Sequence, residues 1–152
     1  MGRKFEKVSR IKEDILLPIA STENSAGYDF IAIEDTTIYP YSETNPCPER
    51  VYLGVKAQME SDDVVLLFNR SSNPGKYGLV QANSVGVIDS DYYNNPNNEG
   101  EIAVEFYNMD NEPVVIKKGQ KVCQGVFMKF LKTDDDNRLD VKREGGLGST
   151  GN

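Results

Sequence analysis

The sequence predicts an all-β fold, and three observations lead to this class. Alternation of apolar and polar residues, the pattern of half-buried strands, recurs along the chain, whereas the period of amphipathic helices is hard to find. Clusters of turn-forming residues separate the apolar segments. The 152 residues contain no internal repeat and no linker, and they suffice for one domain, residues 1–152, with a hydrophobic core. Many short strands with polar turns indicate a sandwich, jelly roll or barrel.

The predicted strands follow one another along the chain. Residues 51–59 alternate apolar with more polar side chains, which predicts one strand with a buried face and a wetter face. Residues 64–68 form an unbroken apolar run, consistent with a strand covered on both sides. Residues 102–106 alternate again, and residues 122–131 are a further long candidate. The turn clusters are residues 42–48, 73–75, 94–100, 110–113 and 134–137.

Composition excludes several function classes. The formal net charge is −7 and the 17 Lys and Arg residues are spread along the chain, which argues against a nucleic-acid polymer as partner but leaves nucleotides open. Histidine is absent, so Ser-His-Asp catalysis, Cys-His catalysis and His-ligated metals are excluded. Cys47 and Cys123 have no close spacing, which indicates reduced thiols. With no apolar leader and no membrane-length segment, we expect a cytoplasmic protein without a membrane partner.

Polar residues suited to an anion follow the apolar run 64–68. Arg70 offers a guanidinium fork, Ser71 and Ser72 offer hydroxyls, and residues 73–75 offer turn amides. Such a set can cradle a phosphate or another oxyanion. The alternative is a polar turn with a surface arginine.

A second segment, residues 83–92, combines groups suited to a water, a ring and a base edge. Asp89 ends an apolar stretch, where partial desolvation would raise its basicity and let it deprotonate a water. Tyr92 offers a flat face for a ring, and Asn83 carries both donor and acceptor groups for the edge of a nucleobase. The alternative is a β-hairpin with an acidic tip.

Two further segments are ambiguous by themselves. Asp29 stands just inside a strand start, in AGYDF at residues 26–30, and the alternative there is an exposed acidic turn. The last ten residues, REGGLGSTGN, hold four glycines. They are either a flexible end or a phosphate-binding arm, because linkers are also made of Gly and Ser.

Taken together, these segments resemble the five motifs of the trimeric dUTP nucleotidohydrolases (dUTPases), a family with phage and Gram-positive bacterial members. In chain order the motifs are AGYDF at 26–30, NRSS at 69–72, NSVGVIDSDY at 83–92, GQKVCQ at 119–124 and GGLGSTG at 145–151. One match would be weak, whereas five in the family's order and with similar spacing are specific. The resemblance implies a jelly-roll subunit, a homotrimer whose active sites are built from all three chains, and a flexible C-terminal arm over residues 143–152.

The resemblance also implies a reaction, the hydrolysis of dUTP to dUMP and pyrophosphate with Mg²⁺. Asp89 would activate the water that attacks the α-phosphorus in line with the departing pyrophosphate. Asp29 would hold the water and charge network near the metal. Mg²⁺ would be coordinated mainly by the substrate phosphates and by water, with no direct protein ligand. If the chain is encoded by a phage, the reaction takes place in the host cytoplasm.

The resemblance assigns the substrate contacts residue by residue. Tyr92 would pack under the deoxyribose and leave no room for a 2′-hydroxyl. Asn83 and the main chain of Val85 and Gly86 would pair with uracil in a hairpin too tight for the methyl group of thymine. The phosphates would meet Arg70, Ser71, Ser72 and Gln124, and the arm would contribute Arg143, Leu147, Gly148, Ser149 and Thr150.

The chain departs from the family pattern at four places, one of which is Gln120, where the family commonly has an acidic residue. Where the family usually returns to a glycine within two residues of Tyr92, residues 93–99 form an insertion of about six residues, a lengthening that loops tolerate at little entropic cost. This insertion is either a harmless longer loop or a surface that contacts a partner or shields the site. Leu147 replaces the usual aromatic residue that stacks on uracil. Either Lys142 or Arg143 can serve the γ-phosphate.

Other functions stay open beside the dUTPase reaction. A dCTP deaminase shares the fold and an Arg-Ser phosphate loop, but it needs a catalytic glutamate and lacks the Ile-Asp-x-x-Tyr segment that is intact here. A regulatory protein is a different class: some phage relatives use the nucleotide-bound trimer to capture a repressor, and the insertion would then be the contact surface. A purely structural trimer would leave Asp89 replaceable.

Overall fold

The structure, a computed structural model, describes residues 2–147, and this part of the chain is built almost entirely of strands. The strands in chain order are β1 Lys4–Lys7, β2 Ile19–Ala20, β3 Tyr28–Ile31, β4 Thr36–Ile38, β5 Glu49–Tyr52, β6 Val55–Gln58, β7 Asp63–Asn69, β8 Leu79–Gln81, β9 Val85–Asp89, β10 Ala103–Asn108, β11 Val114–Ile116 and β12 Lys121–Lys129. Helix α1, Ser72–Tyr77, and a 3-10 helix, Ser90–Tyr92, are the helices of the described residues. The predicted all-β class is confirmed.

The strands form two larger antiparallel sheets and two antiparallel pairs. The five-stranded sheet has the order β2-β3-β12-β7-β9, and its long strand β12 pairs with β3 on one side and with β7 on the other. The three-stranded sheet has the order β5-β10-β8. Strands β1 and β6 form one pair, and β4 and β11 form the other. Antiparallel sheets need to cover only one face, which leaves the other face available for loops and ligands.

One hydrophobic cluster joins the two larger sheets. Phe30 of β3 and Leu67 of β7 are fully buried in it together with Phe106 of β10. Side chains of this size each contribute about 1.5–3 kcal/mol when they leave water. Along β10, buried and half-buried residues alternate, because successive side chains of a strand point to opposite faces. The shared core fixes how the sheets lie, and with them the loops at the strand ends.

Three of the predicted strands are confirmed with small shifts at their ends. The run 64–68 lies within β7, the alternating residues 102–106 overlap β10, and the segment 122–131 overlaps β12. The predicted turn clusters 94–100, 110–113 and 134–137 carry no strand or α-helix. No helix among residues 2–147 is long and apolar enough to cross a membrane.

The single strand predicted over residues 51–59 is wrong, because the chain breaks at Gly54. This residue has φ +68°, a left-handed conformation that side chains with a Cβ rarely adopt. A Cβ at Gly54 would also lie 2.7 Å from the Ile33 side chain. The break sends β5 to pair with β10 and β6 to pair with β1, so the two halves join different groups of strands.

The turn predicted at residues 73–75 is also wrong, since these residues lie inside helix α1. The helix ends at Gly78, which has φ +67° and whose N–H donates to the carbonyl of Pro74 at 3.0 Å. Asn73 is buried, and its Nδ2 donates to Asn69 Oδ1 at 2.7 Å and to the Val122 carbonyl at 2.8 Å. These bonds tie the end of β7 and the helix to β12, and so they hold the loop that carries Arg70.

Candidate active site

Most of the predicted site residues that the structure describes line one of two separate cavities on the chain. A cavity of about 430 Å³, here called the junction cavity, is lined among others by Gln81, Asn83, Gly86, Asp89, Arg143 and Leu147. A second cavity of about 490 Å³, here called the loop cavity, is lined among others by Ser21, Ser25, Asp29, Arg70, Ser71 and Gln124. The two linings share no residue, so one chain carries two groups of candidate residues and does not bring them together.

The junction cavity lies where the chain passes from one sheet to the other. Strand β8 pairs with β10 in the three-stranded sheet, whereas β9 pairs with β7 in the five-stranded sheet. Residues 83–92 are therefore not a hairpin, and the predicted hairpin is wrong. Gly86 lies against Leu67 so closely that a Cβ would stand 3.0 Å from the Leu67 Cβ, which explains why glycine allows this pairing. Val85 begins β9 beside it.

Gln81 orients Asn83 from inside the junction cavity. Its side chain is buried, and its Nε2 donates to the Leu67 carbonyl at 2.9 Å and to Asn83 Oδ1 at 3.4 Å. Its Oε1 has no hydrogen-bond partner among the described residues. Because the Leu67 carbonyl accepts only from a donor, the Gln81 amide nitrogen must face it, and the Asn83 oxygen must face Gln81. The Asn83 amino group is left for a ligand.

Asp89 ends β9 and contacts the C-terminal segment of its own chain. Arg143 Nη2 donates to Asp89 Oδ2 at 2.6 Å, and Arg143 Nε donates to Asp91 Oδ1 at 2.7 Å. The guanidinium also donates from Nη1 to the Gly145 carbonyl at 3.3 Å. The Asp89 side chain is 49% exposed in the single chain. A paired, half-exposed carboxylate at a cavity edge can accept a proton once its partner moves.

Tyr92 is held rigidly beneath the C-terminal segment. It is 5% exposed, and its hydroxyl donates to the Glu101 carbonyl at 2.5 Å. Burial raises the pKa of the phenol, while a hydrogen bond from Asn98 works in the opposite direction. Gly146 lies directly on the ring, and a Cβ at this position would overlap Tyr92. The ring is therefore covered by the chain's own arm segment.

Leu147 also lines the junction cavity, and its side chain is 54% exposed. Residues 143–147 thus lie against the same chain's Asp89 and Tyr92. Gly148, Ser149 and Thr150, which the sequence assigns to phosphate contacts, lie outside the described residues. Lys142 is exposed, whereas Arg143 lines the junction cavity.

Two basic side chains lie near Asp29, which lines the loop cavity. Lys121 Nζ lies 3.0 Å from Asp29 Oδ2, and Arg70 Nε lies 3.9 Å from Asp29 Oδ1. Burial works against the charged form of Asp29, but a hydrogen bond from Ser21, one from Lys121 and the charge of Arg70 together hold the pKa of the carboxyl below its usual value. The loop cavity therefore has Asp29 and Arg70 in its lining, and Lys121 pairs with Asp29 beside them.

The other predicted residues of the loop cavity differ in their placement. Ser71 precedes helix α1, and among the described residues its hydroxyl makes no capping hydrogen bond. Gln124 packs on Gly27, where any Cβ would overlap the Gln124 side chain. Ser72 is exposed as the first residue of α1 and does not line the cavity. Lys121, which the sequence did not single out, is an alternating strand residue with no local signal of its role.

No group of three or more Asp, Glu or Cys side chains that could hold a metal ion occurs in residues 2–147. Asp29 is the one acidic side chain among the residues that line the loop cavity. Mg²⁺ commonly keeps several waters and binds through one or two carboxylates together with substrate phosphates. A cavity with a single carboxylate beside basic side chains fits that mode of binding.

Comparison with known proteins gives one consistent family. The sequence model of the dUTPase family matches residues 13–151. A deoxyuridine 5′-triphosphate nucleotidohydrolase of Lactococcus lactis subsp. lactis (strain IL1403) is 50% identical over 151 residues, which cover 98% of this chain and 97% of the relative.

Two solved structures extend the comparison to the fold. The crystal structure of dUTPase from Streptococcus mutans matches with a TM-score of 0.80 at 48% identity, and the match covers 88% of this chain and 99% of that one. A mutant dUTPase from phage phi11 of S. aureus, described as revealing the coordination of a structural Mg(II) ion, matches with a TM-score of 0.70. It is 18% identical over 93% of this chain and 98% of that one, a likeness that concerns the fold alone.

Proposed function

The chain belongs to the dUTPase family, and from this membership we propose that it hydrolyses dUTP to dUMP and pyrophosphate by attack of an Asp89-activated water on the α-phosphorus. The observation that carries the proposal is the presence of two cavities on the chain, each with part of the groups that the reaction needs. The junction cavity combines a carboxylate with groups for a base, and the loop cavity combines Arg70 with serine hydroxyls for phosphates.

Asp89 is the general base of the proposed reaction. It takes a proton from water while the water oxygen bonds to the α-phosphorus, and the bond from that phosphorus to the bridging oxygen breaks as pyrophosphate leaves. Arg143 pairs with Asp89 at 2.6 Å without substrate. A triphosphate carries more negative charge than one carboxylate and would draw the guanidinium towards its γ-phosphate, because Arg binds phosphate oxygens with paired N–H groups. This movement of the Arg143 guanidinium leaves Asp89 unpaired, so that it can accept the proton.

Uracil is recognised in the junction cavity in this proposal. The Asn83 amino group, which faces away from Gln81, donates to a carbonyl oxygen of the base, and the main chain of Val85 and Gly86 supplies the remaining contacts. Tyr92 lies under the deoxyribose once the arm segment at Gly146 has moved off the ring, and the fixed ring leaves no room for a 2′-hydroxyl. Leu147 covers the base from the arm, and its exposure leaves it free to do so.

The phosphates are bound by the loop cavity and by the arm. Arg70 contributes charge, Ser71 contributes a hydroxyl and Gln124 contributes its amide. Ser72, which lies outside the cavity lining, is assigned to the phosphates from the sequence alone. Lys121 joins this set because it stands beside Asp29. The arm residues Gly148, Ser149 and Thr150 belong to the same proposal and are assigned from the sequence.

Mg²⁺ would neutralise charge on the phosphates and orient them when it is bound. Asp29 is the residue of this chain that would hold the water shell of the ion, and Lys121 and Arg70 keep that carboxylate ionised and in place. The remaining ligands would come from the substrate and from water, as Mg²⁺ prefers.

A homotrimer with shared sites would unite the two cavities. The residues of the junction cavity and those of the loop cavity do not meet on one chain, so a complete site needs the loop cavity of one copy beside the junction cavity of another. Val87 of β9 and Met128 of β12 support this, because these apolar side chains are exposed in the single chain next to Asp89. Burial of these side chains in an interface between copies would remove apolar surface from water, which is favourable in free energy.

The proposal is tested by measuring pyrophosphate release from dUTP, dTTP, dCTP and UTP with and without Mg²⁺. We expect strong preference for dUTP and dependence on the ion, and light scattering should give the mass of three chains. Equal hydrolysis of dTTP or UTP would contradict the assignment of the junction cavity. Ammonia released from dCTP would replace the proposed reaction with a deamination.

A further inference from the structure

The insertion at residues 93–99 is an ordered segment centred on one buried amide. Asn95 is 5% exposed, and its Oδ1 accepts hydrogen bonds from the backbone N–H groups of Asn97 and Asn98, both at 3.1 Å. Its Nδ2 donates to the Tyr92 carbonyl at 2.7 Å and to Asn98 Oδ1 at 2.8 Å. A buried amide with all these bonds satisfied specifies a single conformation of the segment.

Asn98 is aimed at the Tyr92 hydroxyl by this arrangement. Its Oδ1 accepts from Asn95 Nδ2 and from the N–H of Gly100 at 3.1 Å, so the oxygen must face these two donors. The amino group of the same amide then faces the other way and donates to Tyr92 Oη at 2.8 Å. An inverted amide would set donors against donors, and the orientation is therefore fixed.

As a result, the Tyr92 hydroxyl takes part in two hydrogen bonds, one on each side. It accepts from Asn98 and donates to the Glu101 carbonyl, so both the position and the rotation of the phenol end are determined. The far end of the insertion is anchored as well, since Lys56 Nζ donates to Asn94 Oδ1 at 2.5 Å and to Glu99 Oε1 at 2.7 Å. A loop that merely lengthened the connection would not need this construction around one side chain.

We propose that Asn98, fixed by Asn95, is a positioning residue that locks the Tyr92 ring and thereby sets the discrimination between deoxyribonucleotides and ribonucleotides. This inference rests on the place under the sugar that the proposed function gives to Tyr92. A ring that can tilt admits a 2′-hydroxyl, whereas a ring held at its hydroxyl end rejects it. The insertion is thus part of the specificity of the site, and its deletion would not leave the site intact.

Asn98→Asp is the variant that removes the hydrogen bond to the Tyr92 hydroxyl while it keeps a side chain of the same size at position 98. The carboxylate keeps an oxygen for Asn95 and Gly100, and it replaces the donor that faces Tyr92 by an acceptor. We expect the ratio of kcat/KM for dUTP to kcat/KM for UTP to fall about tenfold, an effect on the order of one hydrogen bond. The fall should come mainly from faster hydrolysis of UTP, with kcat for dUTP little changed.

Asn97→Asp is the matched control. Asn97 is exposed, and within the described residues only its backbone N–H makes a hydrogen bond in the insertion, so the variant adds the same charge one residue away. Its dUTP to UTP ratio should equal that of the wild type. Melting temperatures of both variants check that the chain folds, and Asn98→Ala replaces Asn98→Asp if the latter does not.

A double-mutant cycle with Tyr92→Phe decides whether Asn98 acts through the hydroxyl. Without the hydroxyl there is nothing for Asn98 to hold, so adding Asn98→Asp should leave the selectivity of Tyr92→Phe unchanged. A folded Asn98→Asp protein with wild-type selectivity overturns the inference, and so does an equal loss in the Tyr92→Phe background. If the wild type releases no pyrophosphate from dUTP, the proposed function itself fails, which this series distinguishes from the first two outcomes.

Discussion

The guanidinium of Arg143 lies 2.6 Å from the carboxylate of Asp89, although the two residues are 54 positions apart in the chain. The same guanidinium binds Asp91 through Nε at 2.7 Å, so the arm segment is joined to both acids that flank the start of the 3-10 helix. The Arg143 side chain is 17% exposed in this position. The contact connects the proposed base with the arm that is expected to meet the γ-phosphate.

Arg143→Ala should lower kcat/KM for dUTP by roughly 10- to 100-fold, since charged hydrogen bonds are worth about 1.5–3 kcal/mol each. The loss should appear mostly in KM, because the guanidinium would bind the phosphates. Lys142→Ala is the matched control, as Lys142 is the exposed neighbour with the same charge. Steady-state kinetics on both variants would assign the γ-phosphate contact, and a larger effect for Lys142→Ala would reverse the assignment.

Asp89→Asn should reduce turnover by about 10²–10⁴-fold, the usual contribution of a general base, while dUTP still binds. The amide keeps the shape of the side chain but cannot take the proton of the attacking water. Asp91→Asn is the control, because Asp91 also binds Arg143 but has no role in proton transfer. Single-turnover kinetics and calorimetric binding separate the chemical step from affinity, and near-normal turnover of Asp89→Asn would refute the mechanism.

Strands that carry a simple period could be predicted from the sequence, because period alone decides which face is buried. The alternating residues 102–106 are a strand for this reason, whereas the apolar run 64–68 has no period and was predicted from its unbroken apolar character; it lies in β7, which pairs with β12 and β9. The prediction of one strand over residues 51–59 was wrong because Gly54, in a left-handed conformation, interrupts an alternating pattern that looks continuous in the sequence. Helix α1, Ser72–Tyr77, was not predicted, because its residues are typical of turns and a helix of one to two turns is too short to show a period.

The candidate site divides in the same way. Asp89 and Arg70 stand at strand ends in motifs that resemble a family, so local sequence was enough to name them. Gln81, Asn98 and Lys121 act through contacts with residues that are brought near by folding, and no local pattern marks them. The two separate cavities could not be predicted either, because they follow from the pairing of β9 with β7 instead of β8.

Gln81→Met should weaken the discrimination between uracil and cytosine. Methionine keeps the length of the side chain but removes the donor to Asn83 Oδ1, so Asn83 can rotate and offer its oxygen to the amino group of cytosine. We expect the ratio of kcat/KM for dUTP to that for dCTP to fall about tenfold, the size of one hydrogen bond. The ratio of kcat/KM for dUTP to that for UTP in the same variant is the internal control. This ratio measures discrimination at the sugar, so it should not change. A constant dUTP to dCTP ratio would show that Asn83 needs no help from Gln81.

Glu99→Gln should lower the melting temperature in a pH-dependent way. Hydrogen bonds from Lys56 and then from Ser9 lower the pKa of Glu99 from 4.5 to about 2 in the folded chain. Because the folded pKa is depressed, the stabilisation is complete above about pH 4.5 and is lost as the pH falls towards 2. The difference in melting temperature between wild type and variant should therefore shrink over this window. Glu43→Gln removes an exposed charge as the control, and a gap that persists unchanged to pH 2 would contradict the account.

Leu147→Phe should tighten nucleotide binding. Leu147 lines the junction cavity with a half-exposed side chain, so a larger residue at this position extends over the base without displacing a buried neighbour. A leucine can cover uracil, but an aromatic ring can also stack on it, which is worth about 0.5–1.5 kcal/mol beyond the buried area. The backbone at this position has φ +54°, and neither residue is β-branched, so the exchange adds little backbone strain. Calorimetry with a non-hydrolysable dUTP analogue should give a dissociation constant several-fold lower, and an unchanged or weaker affinity would mean that Leu147 does not cover the base.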